Sequence, residues 1–218
     1  MSLSKTVLLT GFEPFGGEPV NPSGRIAQAL HGLQIAGHTV HGAVLSCRFG
    51  ASRRELDALL RRLRPALVVA LGQATRPEIS VERVALNVDD ARIPDNAGAQ
   101  PVDRPIVRGA PAACFSTLPI KAMTASLRKA GVPANVSQTA GTFVCNHVFY
   151  GLMHRLHADP ALAGARGGFI HVPLLTEQAA RLGGFGLPLA VQAGAIRLAL
   201  AEALRRRRDL RLAAGALD

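Results

Sequence analysis

Cysteine chemistry is indicated at Cys145, which follows the turn residues Gly141 and Thr142 and precedes apolar residues at helical spacing. A cysteine at the start of a helix lies among free backbone N–H groups, at the positive end of the helix dipole. These features lower the pKa of a thiol, and the same N–H groups can stabilise a tetrahedral oxyanion. Because most free cysteines are small buried hydrophobic residues, position alone leaves a nucleophile and a core residue equally open.

A general base for this thiol is indicated at His171, which lies near the end of the apolar run 168–172, shortly before a proline. Ligand crevices open at the carboxyl ends of parallel strands, so His171 can face a site while its neighbours face the core. Taken alone, a core histidine with backbone hydrogen bonds is the more common case. His147, His154 and His157 are weaker candidates. The last two lie one helical turn apart without an evident third ligand, so no metal site is expected.

A carboxylate that orients the base would complete such a site, because it accepts the hydrogen bond from the second ring nitrogen. Glu82 is one candidate, since it opens a predicted strand that can project into the same region. Asp89, Asp90 and Asp95 compete with it, and each is also typical of a solvated loop acid. The spacing of these residues does not choose among them.

Short β-rich runs alternate with amphipathic helical patterns along the chain. The predicted strands span residues 6–10, 39–46, 66–71, 83–88, 135–139 and 168–172. The predicted helices span residues 23–33, 118–130, 145–157 and 189–208, and another begins at Ser52, where Ser52 and Glu55 have capping-box spacing. This alternation predicts one α/β domain over residues 1–218, with a mostly parallel twisted sheet and helices on both faces. Residues 89–114 lack periodicity and are predicted to form a functional loop.

The composition favours a globular protein of a reducing compartment. Apolar residues make up 48% of the 218, which is enough for a core that needs no disulfides. The three cysteines are widely spaced and odd in number, which argues against a disulfide framework or a zinc cluster, so Cys47 and Cys114 are expected to be structural. The sequence shows no signal-peptide core and no run of about 18 apolar residues. We expect a soluble, cytoplasmic protein that does not span a membrane.

The net charge of +10 raises the alternative of a nucleic-acid-binding module, because clustered lysine and arginine neutralise phosphates. The arginines are spread along the chain, however, and only residues 205–208 form a run. Aromatic residues make up 4% of the chain and none lies within that run, so no base-stacking platform is indicated. A solvated basic end of a C-terminal helix is the better interpretation, and no nucleic-acid partner is expected.

Several long motifs resemble those of the pyrrolidone-carboxylate peptidases, the pyroglutamyl peptidase I family of cysteine peptidases. The resemblance runs nearly from end to end, and motifs of this length at separate places are not expected by chance. They read TGFEPFGG at 10–17, NPS at 21–23, ERVALNVDDARIPDN at 82–96, LPIK at 118–121, GTFVCNH at 141–147, IHVP at 170–173 and EQ at 177–178.

The resemblance implies an intracellular peptidase that removes pyroglutamate from peptide N-termini through a thioester, without metal or cofactor and commonly as a homotetramer. Carried over residue by residue, its nucleophile is Cys145, its base His171 and its orienting carboxylate Glu82, which selects Glu82 over the three aspartates. Gln73 is expected to hydrogen-bond the substrate, and Arg92 to lie beside the catalytic residues. The implied walls of the ring pocket are Phe12, Phe15, Ile93, Phe143 and Val144.

Two departures from the family pattern, in residues 75–80 and at Thr176, leave the shape of the pocket open. The family is usually richer in glycine at the first and carries proline at the second.

A nucleotide enzyme is the weaker alternative. The glycine-rich run 11–17 could bind a phosphate, but it lacks the P-loop ending and the glycine spacing of dinucleotide sites. An inactive relative of the peptidases is a further alternative that only an assay decides.

Overall fold

The computed structural model describes residues 4–215, which form a seven-stranded sheet and a separate two-stranded sheet. The strands are β1 (Ser4–Phe12), β2 (Gln34–Ile35), β3 (His38–Leu45), β4 (Pro65–Gln73), β5 (Ile79–Glu82), β6 (Val84–Leu86), β7 (Ala113–Phe115), β8 (Ala134–Ser137) and β9 (Arg166–Val172). In the large sheet the order is β2-β3-β1-β4-β9-β5-β8. Only the β2–β3 and β5–β9 pairs of this sheet, within the described chain, are antiparallel. The predicted mostly parallel sheet is confirmed.

Helices cover both faces of the large sheet. They are α1 (Pro22–Ala29), α2 (Ala51–Leu63), α3 (Ile120–Lys129), α4 (Val144–Ala158), α5 (Thr176–Leu182) and α6 (Leu189–Arg205). Helices α1, α3 and α6 share one hydrophobic cluster with the sheet, and α2 and α4 share the other. The α/β layers predicted from the alternation of strand and helix are therefore confirmed. None of the helices between residues 4 and 215 is long and apolar enough to cross a membrane.

Alternation along the strands decides which side chains face α4. In β4, Leu67, Val69 and Leu71 pack in the cluster of α1, α3 and α6, whereas Val68 and Ala70 pack in the cluster of α2 and α4. Because successive side chains of a strand point to opposite faces, a strand covered on both sides is apolar throughout. The same alternation puts Val81 on the first face of β5, and Glu82 therefore on the face of α4.

The region around Glu82 differs from its predicted form. The expected strand at residues 83–88 is wrong in its bounds, because β5 ends at Glu82 and β6 spans Val84–Leu86 in the other sheet. Glu82 thus closes a strand rather than opening one. Arg83 lies between the two strands, and its backbone bonds to Ser137 on one side and Ser116 on the other. The chain therefore leaves the large sheet directly after Glu82.

The start of α2 also differs from the predicted capping box. The N-cap residue is Gly50, at φ 72°, rather than Ser52. Ser52 Oγ donates to the Arg48 carbonyl, and the Glu55 carboxylate accepts from the backbone and hydroxyl of Ser46. The predicted capping box is therefore wrong, because both side chains bond to the chain that precedes the helix. The short elements β2, β7 and α5 were not predicted, because each is too brief to show a period.

The long connection between β6 and β7 is irregular, as expected for residues 89–114. Backbone bonds join Asp89 to Arg104 and the Ala91 amide to Pro101. Near the start of this loop, the Asp90 amide donates to the Thr142 carbonyl at 3.0 Å, and Thr142 Oγ1 donates to the Asp90 carbonyl at 2.7 Å. The loop is thereby fixed to the turn that precedes α4.

Candidate active site

Cys145 and His171 are brought to the same place by Gly72, at the carboxyl end of β4. Gly72 pairs with His171 of β9, and His171 pairs in turn with Ser80 of β5. A Cβ atom at Gly72 would lie 2.7 Å from Cys145 Sγ and 2.9 Å from the ring of Phe169. The missing side chain therefore makes the space in which the thiol lies against the sheet, next to the strand of His171.

The His171 imidazole is held by Glu82. Its Nδ1 atom lies 2.7 Å from Glu82 Oε1, and the side chains are 4% and 0% exposed. The ring also contacts Phe169, with the ring centroids 4.9 Å apart. With Glu82 ionised, Nδ1 carries the proton and donates it in this bond, which leaves Nε2 as a proton acceptor.

Arg76, which no sequence pattern indicated, donates to the same Glu82 oxygen that His171 contacts. Its Nη1 atom donates to Glu82 Oε1 and to Ser137 Oγ, both at 3.0 Å, and its Nη2 donates to the Thr139 carbonyl at 3.0 Å. Arg76 lies in the stretch 75–80 that departs from the family pattern. No local pattern predicts the contacts of a loop arginine, because its partners come from β5 and from residues more than sixty positions away.

The start of α4 holds Cys145 in its first turn. The helix begins at Val144 after the N-cap residue Phe143, which provides no side-chain cap, so the first backbone N–H groups are not capped. Asn146 fixes this turn to the second sheet, because its amide bonds to the backbone of Leu86 and Val88. The predicted placement of Cys145 at a helix N-terminus is confirmed.

The electrostatic environment of Cys145 is not the one predicted from the helix alone. Burial raises the pKa of its thiol above the ordinary value, and Cys47 and Glu82 raise it further, whereas Arg76 lowers it. The net direction is upward, opposite to the effect expected of a helix N-terminus. No hydrogen bond joins Cys145 Sγ to His171 in the described structure. Burial therefore favours the neutral thiol over the thiolate at this position.

A pocket of about 220 Å³ opens over these residues. It is smaller than the roughly 300–1,000 Å³ of pockets for drug-sized ligands and therefore suits a small group. Three phenylalanines line it, and the rings of Phe15 and Phe143 lie 5.6 Å apart. The lining residues are Phe12, Phe15, Asn21, Cys47, Gln73, Ala74, Arg76, Ala140, Gly141, Phe143, Cys145 and His171.

Four of the expected site residues lie outside this lining, and one of them is the buried Glu82 that contacts His171. Val144 is fully buried in the cluster of α2 and α4, beneath the pocket. Arg92 and Ile93 are exposed on the long loop, close in sequence to Asp90, which is bonded to the turn before α4. Their roles in substrate binding stay predictions.

Cys47, which was expected to be structural, also lines the pocket. It follows the carboxyl end of β3, the parallel neighbour of β1, and is 5% exposed. Burial, together with Glu13 and Asp95, raises the pKa of its thiol to about 12, so it is a neutral wall group at ordinary pH. Its position directly after the predicted strand 39–46 was a signal in the sequence that could have found it.

Gln73 ends β4 at the pocket, and its amide is oriented by Gln178 of α5. Gln178 Nε2 lies 3.4 Å from Gln73 Oε1, and the same nitrogen lies 3.1 Å from Glu18 and 3.2 Å from the Val20 carbonyl. Gln178 is fully buried. Thr176, the second departure from the family pattern, is the first residue of this helix.

The competing acids and His147 form a different arrangement. His147 Nδ1 lies 2.8 Å from Asp89, while its Nε2 accepts the Gly50 amide at 3.0 Å, so both ring nitrogens are used within the fold. Asp95 accepts the Phe49 amide and amides of its own loop. Neither aspartate hydrogen-bonds His171.

The two helical histidines do not form a metal centre. His154 stacks on the ring of Tyr150, and His157 Nδ1 bonds to the Met153 carbonyl at 2.7 Å. Between residues 4 and 215, no group of three or more His, Cys, Asp or Glu side chains is arranged to hold a metal ion. The expectation of a reaction without metal or cofactor stays a prediction.

Comparison with known proteins gives the family. Residues 5–206 match the family model described as pyroglutamyl peptidase. This chain belongs to the pyroglutamyl peptidase family. A pyrrolidone-carboxylate peptidase of Chromobacterium violaceum is 58% identical to it over 207 residues, covering 94% of this chain and 95% of the relative. One from Cupriavidus taiwanensis is 59% identical over 214 residues, covering 97% and 99%.

Solved structures of the pyroglutamyl peptidase family have the same fold. Pyroglutamyl peptidase I of Bacillus amyloliquefaciens superposes with a TM-score of 0.92 at 41% identity, covering 95% of this chain and 100% of that structure. The pyrrolidone carboxyl peptidase of Thermococcus litoralis gives 0.91 at 39% identity, covering 95% and 99%. The chain is thus a cysteine-type peptidase, and the predicted family and enzyme class are confirmed.

Proposed function

We propose that this peptidase hydrolyses the bond after an N-terminal pyroglutamyl residue, with Cys145 as nucleophile, His171 as general base and Glu82 as the residue that orients His171. The observation that carries the proposal is the 2.7 Å bond between His171 and the buried Glu82, at a pocket that Cys145 also lines. Membership of the pyroglutamyl peptidase family supports the substrate class.

The first half of the reaction forms a thioester. His171 Nε2 takes the proton of Cys145 as the sulfur attacks the pyroglutamyl carbonyl, giving a tetrahedral oxyanion. When the intermediate collapses, the C–N bond breaks and the imidazolium gives its proton to the leaving amine. Because burial raises the pKa of the Cys145 thiol, we propose that His171 takes the proton together with the attack.

The second half returns the enzyme to its resting state. Water enters as the shortened peptide leaves, and His171 accepts its proton while the hydroxyl attacks the thioester carbonyl. The C–S bond then breaks, free pyroglutamate departs, and the proton on His171 returns to the sulfur. Throughout, Glu82 accepts the Nδ1–H bond and stabilises the imidazolium without taking its proton.

Oxyanion stabilisation is assigned to the first turn of α4. Its leading backbone N–H groups are not capped by a side chain and lie at the positive end of the helix dipole. Arg92 is proposed to assist from the long loop, whose Asp90 bonds to the turn before the helix.

Recognition of the lactam ring is assigned to the aromatic wall and to Gln73. Phe12, Phe15 and Phe143 offer apolar contact to a small, neutral ring. The oxygen of Gln73 already accepts from Gln178, which leaves its NH₂ group to donate to the lactam carbonyl. Ile93 and Val144 remain proposed pocket residues from the family resemblance.

The test compares matched chromogenic amides of pyroglutamate and proline, with and without a thiol alkylating agent. A proline substrate brings an ammonium that this wall cannot pair, and it leaves the lactam-binding group unpaired. Sites built around a substrate hydrogen bond reject analogues that lack it by about 10⁴ or more, so prolyl amides should be cleaved negligibly. A ratio of kcat/KM below about 100, or turnover that survives alkylation, contradicts the proposal. No turnover of either amide would indicate an inactive relative.

Assembly as a cytoplasmic homotetramer, which the family resemblance implies, is part of the same proposal. Exposed apolar side chains support association, since Val102 is 66% and Phe115 64% exposed in the single chain. Light scattering coupled to size-exclusion chromatography tests the tetramer directly.

A further inference from the structure

We propose that Arg76 is a positioning residue of this active site: it places a permanent positive charge beside the buried Glu82 and aligns the Glu82–His171 pair with the segment that leads to Cys145. The inference rests on the proposed function, because it assigns a role within the same reaction. Arg76 is not one of the residues carried over from the family motifs, and it lies in the stretch where this chain departs from the family pattern.

A single guanidinium joins three parts of the site. Nη1 reaches Glu82 at the end of β5 and Ser137 at the end of β8, each at 3.0 Å, and Nη2 reaches the Thr139 carbonyl. Thr139 lies in the short connection from β8 to α4, the helix that carries Cys145. The carboxylate that orients the base and the chain that leads to the nucleophile are thus fixed to the same planar group.

The charge of Arg76 is needed because Glu82 has little else to stabilise it. Glu82 is fully buried, and its two contacts, with His171 and Arg76, both fall on Oε1. Oε2 has no hydrogen-bond partner among the protein groups of residues 4–215. His171 must be neutral to act as a base, so Arg76 supplies the permanent positive charge that a buried carboxylate requires.

The charged and titratable groups that act on Glu82 are few. Arg76 and His171 contact it directly, and Cys145 on α4 interacts with it through space. Arg83, the next residue along the chain, turns to Gln138 and the Ala214 carbonyl instead. Without Arg76, the positive charge that faces the Glu82–His171 pair is lost, and the buried carboxylate is no longer held in the orientation that selects the Nδ1–H tautomer of His171.

Lysine cannot replace this arginine in full. An ammonium keeps the charge, but it is a point charge without the planar fork that bonds to several acceptors at fixed angles. The charge and the planar fork of Arg76 should therefore affect different kinetic quantities. Loss of the charge changes the pH dependence, and loss of the fork lowers kcat at every pH.

The experiment measures pH profiles of kcat and KM for Arg76→Ala, Arg76→Lys and the matched control Arg83→Ala, using a pyroglutamyl amide. Arg83→Ala also removes a guanidinium next to the end of β5, together with its hydrogen bond to Gln138, which follows β8. The side chain of Arg83 does not hydrogen-bond the Glu82 carboxylate, so this variant leaves the Glu82 contacts in place. Arg76→Ala should lose about 100-fold in kcat with little change in KM, and the acid limb of its profile should move to higher pH. Arg76→Lys should lose about 10-fold while keeping the wild-type acid limb.

Two further measurements separate positioning from a merely structural role. Methylguanidine added to Arg76→Ala should restore about 10-fold in kcat, because the side chain that it replaces is partly exposed at the pocket wall. Iodoacetamide should also alkylate Cys145 about 10-fold more slowly in Arg76→Ala than in the wild type, with the adduct located by mass spectrometry. Alkylation needs no substrate, so it tests Arg76 even if the wild type does not cleave pyroglutamyl amides.

Arg76 is refuted as a positioning residue if folded Arg76→Ala matches Arg83→Ala in both kcat and alkylation rate. A loss that falls wholly on KM, with an unmoved acid limb, also overturns the proposal, because it indicates a substrate contact instead. Circular dichroism establishes folding. Should Arg76→Ala fail to fold, the decision rests on Arg76→Lys, and wild-type kcat in that variant contradicts the role of the fork.

Discussion

Gly72→Ala should inactivate the enzyme without unfolding it. The backbone at Gly72 does not need glycine, since it lies in a regular strand and its φ is not positive. Glycine is required here because a side chain would have no room between β4 and the side chains of Cys145 and Phe169. A Cβ there would lie 2.7 Å from Cys145 Sγ and 2.9–3.0 Å from two ring atoms of Phe169, whose ring contacts His171.

The size of the effect follows from these distances. Ordinary contacts between non-bonded heavy atoms are about 3.5–4.0 Å, so the sulfur must move away by about 1 Å. A misplacement of about 1 Å at reacting atoms can cost about 100-fold in rate. We therefore expect kcat/KM for a pyroglutamyl amide to fall by about 100-fold or more. The overpacking itself costs about 1–3 kcal/mol of folding free energy.

Gly167→Ala is the matched control. Gly167 lies on the same face of the sheet, under the other end of α4, and its Cβ would lie 2.7 Å from Leu156 Cδ1. It should lose a similar 1–3 kcal/mol or so in denaturant unfolding while keeping most of its activity. The reasoning is refuted if Gly72→Ala stays within about threefold of Gly167→Ala in kcat/KM, because the contact would then be relieved without moving the nucleophile.

Three other outcomes are expected. With a pyroglutamyl amide as substrate, Cys145→Ser and His171→Ala should each lower kcat by about 10⁴-fold or more. Glu82→Gln should keep residual activity, and Cys114→Ser should keep most of the wild-type activity. The thiol pKa of Cys47 is about 12 in the fold against an ordinary 9.0, so from about pH 9 to 12 the unfolded state loses this proton first. Over that window the free energy of unfolding should fall by up to about 1.4 kcal/mol per pH unit from this thiol, a slope that Cys47→Ser should reduce in denaturant titrations. EDTA should leave activity unchanged, and inactivation that zinc reverses would show that a metal takes part.

The sequence by itself determined the α/β layer architecture of this protein, with helices on both faces of a mostly parallel sheet, and the residue types of its candidate site. Continuous apolar runs identified strands covered on both faces, and the turn before Cys145 correctly predicted a helix whose first turn contains that cysteine. These features are local: a strand or helix shows its period within about ten residues. Spacing could not choose among Glu82 and the aspartates, and the family motifs made that choice instead.

Only the tertiary structure showed which distant residues touch. The bond between His171 and Glu82 joins residues 89 positions apart, and it exists because β5 runs antiparallel beside β9. The contacts of Arg76, the place of Cys47 in the pocket wall and the space above Gly72 depend in the same way on the order of strands. Burial also reversed the direction predicted for the pKa of Cys145, because desolvation of a thiolate depends on the atoms that surround it and not on its position in a helix.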